Sequence, residues 1–344
     1  MTSRRSARSA TPITRRVTLL LAVGSLLATL VGAEVAWRVV LWRSGHGFFD
    51  DPRDFVSPFF TTYEQPLPIV RPDAFEYLGG SVARQKPPDE IRVLCLGGST
   101  TVNFRAGVSY TDVLERRFAA EPRDGWRVRV LNAGGEGYST AQMLVNLSLR
   151  NIDVQPDIVT VYENVNDLAA NFFGDGVQSD YANKYLTDFY LGFRHRTGFV
   201  AEVTKVSRLA RYVAGRIMAL AYPEREMFEG RDWHRGLVYF ERNLRSIVAV
   251  AREHGIRIAL LSQAARDDYR RDPGFTAYNE TIRRVAEREG VVFVDVAGGV
   301  TEDRYFLEDA IHNTREGVEA VAERLYQPLA AMIRDVERAR RAGS

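Results

Sequence analysis

Ile91-Arg-Val-Leu-Cys-Leu-Gly-Gly-Ser-Thr100 is the stretch on which the fold turns. A short apolar run closing on two glycines and a hydroxyl is the pattern of a buried strand that turns sharply into a helix. Downstream of it, strand-like and helix-like stretches alternate. The expected strands are 91–97, 127–132, 156–163, 256–263 and 291–296, and the expected helices are 110–120, 140–151, 235–254, 277–289 and 315–338. This alternation predicts an α/β body, a parallel sheet of about five strands with helices on both faces. The pattern weakens from Leu168 to Trp233, an aromatic-rich stretch with a helix-like part at 203–220, and this reads as an insertion over the active rim of the sheet.

A chain of 344 residues can bury a full core. Its apolar fraction of 45% and charged fraction of 26% are those of a globular protein, and a formal charge of +2 argues against a nucleic-acid partner. Part of that excess is local, because Arg4, Arg5, Arg8, Arg15 and Arg16 precede any acidic residue. The single cysteine, Cys95, excludes an intramolecular disulfide and lies inside the apolar strand, where it reads as a core thiol.

Residues 1–16 form a basic N-terminus, and 17–42 are expected to be a transmembrane signal anchor. The run from Val17 to Ala33 is uncharged, Glu34 and Arg38 are one turn apart, and Trp37 and Trp42 fall where rings sit at a headgroup level. The excess of arginine places the N-terminus in the cytoplasm and the rest of the chain outside. Val31-Gly-Ala33 also fits a signal-peptidase site, which makes a secreted body the alternative. A twin-arginine reading of Arg15-Arg16 fits its surroundings poorly. Residues 43–90 are expected to be a tether rich in proline and aromatics, among them Phe48, Phe49, Phe55, Phe59, Phe60 and Tyr63. It should wrap against the body or the membrane surface rather than fold independently, and Lys86-Pro-Pro-Asp-Glu90 should stop it before the first strand.

In an open parallel sheet, ligands bind beyond the carboxyl ends of the strands, near the point where strand order reverses. Ser99, the loop Gly134 to Gly137 and the segment Asn164 to Asp167 each follow an expected strand, so three loops should converge on one crevice. A serine at such a turn can offer its hydroxyl and its N–H to a carbonyl, but the hydroxyl needs a base. Taken alone it is also an ordinary helix cap. Asp309-Ala-Ile-His312 sets a carboxylate three residues before an imidazole, just ahead of the last helix. A carboxylate on one ring nitrogen fixes the tautomer and turns the other nitrogen to the serine. A capping aspartate beside a surface histidine is the plainer account, but His46, His195, His234 and His254 have no carboxylate three residues earlier.

Asn132-Ala-Gly-Gly-Glu-Gly137 suits an anion. Gly97-Gly-Ser-Thr-Thr lacks the spacing of a dinucleotide loop, and no acidic residue ends the second strand, so a nucleotide cofactor is not expected. An oxyanion role suits the loop better, since glycine lets a backbone N–H approach the developing charge. Asn166 offers a further side-chain donor, or closes an Asx turn.

Ser99 in Leu-Gly-Gly-Ser-Thr, the Asn-Ala-Gly-x-x-Gly block ending at Gly137, the pair Asn166-Asp167, and Asp309-x-x-His312 resemble, in order, the four blocks of the SGNH or GDSL-type hydrolases. The resemblance covers 91–329. It implies a three-layer, flavodoxin-like fold for 91–338, Ser99 as nucleophile, His312 as base and Asp309 as its orienting partner. It also implies an oxyanion hole built from Ser99 N–H, Gly137 N–H and the Asn166 side chain, with no metal or organic cofactor. The chain departs from the family pattern twice: Gly98 stands for the aspartate of G-D-S, and Asn164 for the glycine of G-x-N-D, where it could itself reach the substrate. The expected protein is thus a membrane-anchored serine esterase acting on acyl esters, O-acetyl groups included, of an envelope glycan or lipid. Its rivals are an O-acyltransferase using the same triad and a non-catalytic glycan-binding protein.

Overall fold

The computed structural model describes residues 12–43, 48, 68–123, 125–172, 177–181, 184, 203, 206–221 and 232–343. The chain divides into two units, Met1–Phe55 with His195–Ala221, and Val56–Arg194 with Tyr222–Ser344.

The larger unit begins with a three-stranded antiparallel sheet, β1 (Ile69–Val70), β2 (Ala74–Tyr77) and β3 (Gly80–Ala83). Five strands follow: β4 (Glu90–Gly97), β5 (Arg127–Gly134), β6 (Ile158–Tyr162), β7 (Arg257–Leu261) and β8 (Val292–Val294). They pair in parallel in the order β5-β4-β6-β7-β8, the flavodoxin-like arrangement in which the first strand lies between the second and third. Gly97 is opposite Gly134 on one side and Tyr162 on the other, so the carboxyl ends of β4, β5 and β6 finish level at the reversal point.

Every residue of β4 is buried, and successive side chains go to opposite faces. Leu94 and Leu96 join Leu131, Val159, Phe240, Leu244 and Ile282 on one face. Ile91, Val93 and Cys95 join Leu114, Phe118, Val321 and Leu325 on the other. The helices that supply these partners are α3 (Tyr110–Ala120), α7 (His234–Glu253), α8 (Pro273–Glu289) and α9 (Arg315–Gly343). The result is the expected three-layer α/β/α body. Cys95 is fully buried, and desolvation pushes its thiol up to about 12, so it is a core thiol.

Several boundaries differ from the sequence expectation for local reasons. Helix α8 starts at Pro273 rather than 277, because Asp272 caps it by accepting from Phe275 N (2.9 Å) and proline suits the first helical position. Helix α9 continues past 338, where Arg340 pairs with Asp157 (2.5 Å) and lies over the Trp126 ring.

Residues 69–83, assigned to the tether, form a layer of this unit. Phe75, Tyr77 and Val82 are buried in the same cluster as Leu94 and Leu131, and Leu78 bridges to Asn132. The aromatic residues at 49, 55, 59, 60 and 63 lie outside the described residues. At the start of the stretch read as an insertion, Leu168 and Ala170 within α5 (Val165–Ala170) and Phe172 just after it are buried core residues.

The smaller unit contains α1 (Pro12–Arg43), whose stretch Arg16–Arg43 is long and apolar enough to cross a membrane or to serve as a signal sequence. Glu34 in it accepts from Ser207 Oγ (2.8 Å) and from the backbone N–H of Arg208 and Leu209 (both 3.0 Å), and so caps α6 (Arg208–Ala221). Trp37 lies against Tyr212, ring centroids 4.5 Å apart.

Candidate active site

Strand β4 runs out through two closely packed glycines, Gly97 and Gly98. A Cβ on Gly97 would lie 1.9 Å from Thr101 Oγ1, and one on Gly98 would lie 2.4 Å from Glu163 Oε2 and 2.5 Å from Asn166 Nδ2. The close approach lets the chain turn directly into α2 (Ser99–Val102), with Ser99 half-buried at its start.

The turn from Asp309 to His312 is tied by its own carboxylate. Asp309 Oδ1 accepts from the backbone N–H of Ile311 (3.1 Å) and of His312 (2.9 Å), while Oδ2 accepts from His312 Nδ1 (2.8 Å). Ala310 adopts a left-handed conformation (φ 66°) to close it, and Leu307 N–H donates to His312 O (2.8 Å). Burial acts to raise the Asp309 pKa, but the hydrogen bonds from the His312 ring, the His312 backbone and Ile311 hold it well below the usual carboxylate range. An ionised Asp309 accepts the Nδ1 proton, which leaves Nε2 as an acceptor. Nε2 is 2.8 Å from Ser99 Oγ, across 213 positions of sequence. Arg105 pairs with Asp309 Oδ2 from the solvent side.

The other two loops meet at Gly98. Asn132 closes on Gly134 N (3.0 Å) and Thr101 O (2.8 Å), fixing the loop that reaches Gly137 in a left-handed conformation (φ 68°). Ser139 and Gln142 then form a capping box that starts α4 (Thr140–Leu149). At the end of β6, Glu163 accepts from Asn166 N (2.7 Å) and Asn166 Nδ2 (3.2 Å). Lys184 donates to Gly137 O (2.9 Å), Asn166 O (3.1 Å) and Asn166 Oδ1 (3.1 Å). Burial pushes the Glu163 carboxyl up to about 8, helped by the neighbouring Asp167, and pushes the Lys184 ammonium down to about 8 against the attraction of both carboxylates. Asp167 accepts from Thr140 N (2.9 Å) and so ties α5 to α4.

The structure thus brings Ser99, His312 and Asp309 into one hydrogen-bonded chain and gathers Asn166 and the Gly137 loop around Gly98. Asn164 does not reach this crevice: it is buried and donates to Phe275 O (2.9 Å), which corrects the expectation that it meets the substrate. Three groups escaped the sequence reading: Arg105, Glu163 and Lys184. Lysine is rare here, with Lys86, Lys184 and Lys205 the only three among 46 basic residues. A lysine in an aromatic stretch of an arginine-using chain was the signal available for Lys184.

The arrangement can take a proton from a serine hydroxyl and offer donors to an oxyanion, the requirements of acyl transfer. The model of a GDSL-like lipase/acylhydrolase family matches residues 95–320. No curated protein matches the chain. Among solved structures, it is similar to LAE5, an alpha/beta hydrolase enzyme from the metagenome of Lake Arreo, Spain, at 18% identity and a TM-score of 0.45 over 70% of this chain and 94% of that one. It is also similar to Axe2, an acetylxylan esterase from Geobacillus stearothermophilus, at 16% identity and 0.46 over 69% and 93%. A GDSL-like lipase from Bacteroides thetaiotaomicron matches at 16% identity and 0.43 over 73% and 92%.

Proposed function

The chain belongs to the GDSL-like lipase/acylhydrolase family and is an SGNH-type ester hydrolase, and from that premise we propose that Ser99, His312 and Asp309 are its catalytic triad. The observation that carries this reading is the continuous relay from Asp309 Oδ2 through the imidazole to Ser99 Oγ, 2.8 Å at each step. Ser99 Oγ attacks the ester carbonyl as its proton passes to His312 Nε2, and Asp309 stabilises the imidazolium. The oxyanion is held by the N–H groups of Ser99 and Gly137 and by Asn166 Nδ2, donors commonly worth about 10²–10³ in rate each. His312 returns the proton to the leaving alcohol, and a water activated by the same imidazole releases the acyl group.

The substrate is an acyl ester, O-acetyl esters included, of a cell-envelope glycan or lipid. Helix α1 anchors the chain, with residues 1–16 in the cytoplasm and the catalytic body outside. Five arginines before the first acidic residue, and tryptophans at the outer end of the apolar run, support that placement. Ser99→Ala is expected to abolish hydrolysis of an activated acetyl ester such as p-nitrophenyl acetate while leaving the unfolding midpoint in place. Turnover by the Ala variant excludes the assignment. A screen of acetylated sugars against longer acyl esters then defines the leaving alcohol and the acyl chain.

A further inference from the structure

An asparagine that serves as an oxyanion donor has a problem of symmetry. Its carboxamide has nearly the same shape when turned over, yet only one orientation presents N–H to the substrate. Around Asn166 the surroundings decide the matter. An ammonium only donates, so the atom held by Lys184 Nζ at 3.1 Å is the carbonyl Oδ1. The amide nitrogen is then forced to the other side, beside Gly98, where Glu163 Oε2 accepts one of its two protons. The same ammonium holds Asn166 O and Gly137 O, so the backbones of both loops are tied to one atom. Turning the amide over would press NH₂ against NH₃⁺.

We propose that Lys184, which comes from the segment between α5 and α7, is the positioning residue of the oxyanion pocket: it sets the orientation of the Asn166 amide and the spacing of the Asn166 and Gly137 loops. The inference rests on the proposed roles of Ser99, Asn166 and Gly137 and gives the aromatic insertion a share in the chemistry. Lys184 touches no substrate atom. It acts through Asn166 and through the Gly137 loop.

The test is a double-mutant cycle on p-nitrophenyl acetate, with reactive sites counted by fluorophosphonate titration so that turnover refers to folded enzyme. Lys184→Met is expected to lower kcat by about 10- to 100-fold, a fraction of what removing a whole donor does, with KM little changed. In an Asn166→Ala background the same substitution should cost clearly less, because the amide it orients is gone and only its tie to Gly137 O remains. Lys184→Gln, which keeps a neutral donor, should fall between wild type and Met, and it carries the comparison if the Met variant does not fold. An unchanged kcat, or an equal loss with and without Asn166, overturns the role of Lys184 while the triad stands. A wild-type protein that neither titrates nor turns over overturns the esterase reading and this inference together.

Discussion

Gly98 and Glu163 explain each other. Where the family pattern has an aspartate, this chain has a glycine, and the space a side chain would enter is filled by the Glu163 carboxylate and the Asn166 amide. The carboxyl group beside Gly98 thus belongs to Glu163, at the end of β6. Restoring the family residue should harm the enzyme: Gly98→Asp is expected to lower kcat by about tenfold or more by displacing Asn166, the proposed oxyanion donor. Adding Glu163→Ala to it should recover much of the loss, as steady-state kinetics will read. Asp309 gives a pH prediction. Its folded-state pKa lies below its unfolded value near 4, so its stabilisation is complete above that value and is lost as the pH falls through the folded one. Urea unfolding should show wild type exceeding Asp309→Asn by a constant margin above pH ~5 that narrows steadily below pH ~4. A margin independent of pH contradicts this.

At the scale of elements, Arg92 is the exception within the strand that organises the sheet. Its guanidinium is fully buried and satisfied, with Nε on Glu90 Oε1, Nη1 on Val154 O and Nη2 on Ala83 O, each at 2.7 Å. The last bond joins β4 to β3, so one side chain couples the two sheets. Arg92→Met leaves Glu90 with Arg127 alone (2.9 Å) and strands two carbonyls, and denaturant unfolding should register a loss of about 2–4 kcal/mol. The sequence disclosed the elements with long uniform patterns: the apolar β4, β6 and β7, and the helices behind their caps. It concealed β1–β3, because strands of two to four residues in a segment rich in proline and aromatics carry no readable period. Ser99, Asp309 and His312 were legible because each sits in a local motif. Lys184 was not, because its partners come from two other loops and only the folded chain brings them to it.

For the whole molecule, the proposed topology can be mapped with introduced cysteines, since the only native thiol is buried and held as the unreactive acid. An impermeant maleimide applied to intact cells, with the outer envelope permeabilised where there is one, is expected to label Glu302→Cys, an exposed position on the catalytic unit, and to spare Ser3→Cys. Labelling of both, or of Ser3→Cys alone, contradicts an anchored body outside and an N-terminus in the cytoplasm.

The central claim is that Ser99 is made nucleophilic by His312. Incubation with diisopropyl fluorophosphate followed by peptide mass spectrometry tests it most directly. One adduct is expected, on the peptide carrying Ser99, absent from Ser99→Ala and formed far more slowly in His312→Ala. No adduct, an adduct on another residue, or one that forms equally fast without the imidazole contradicts the account.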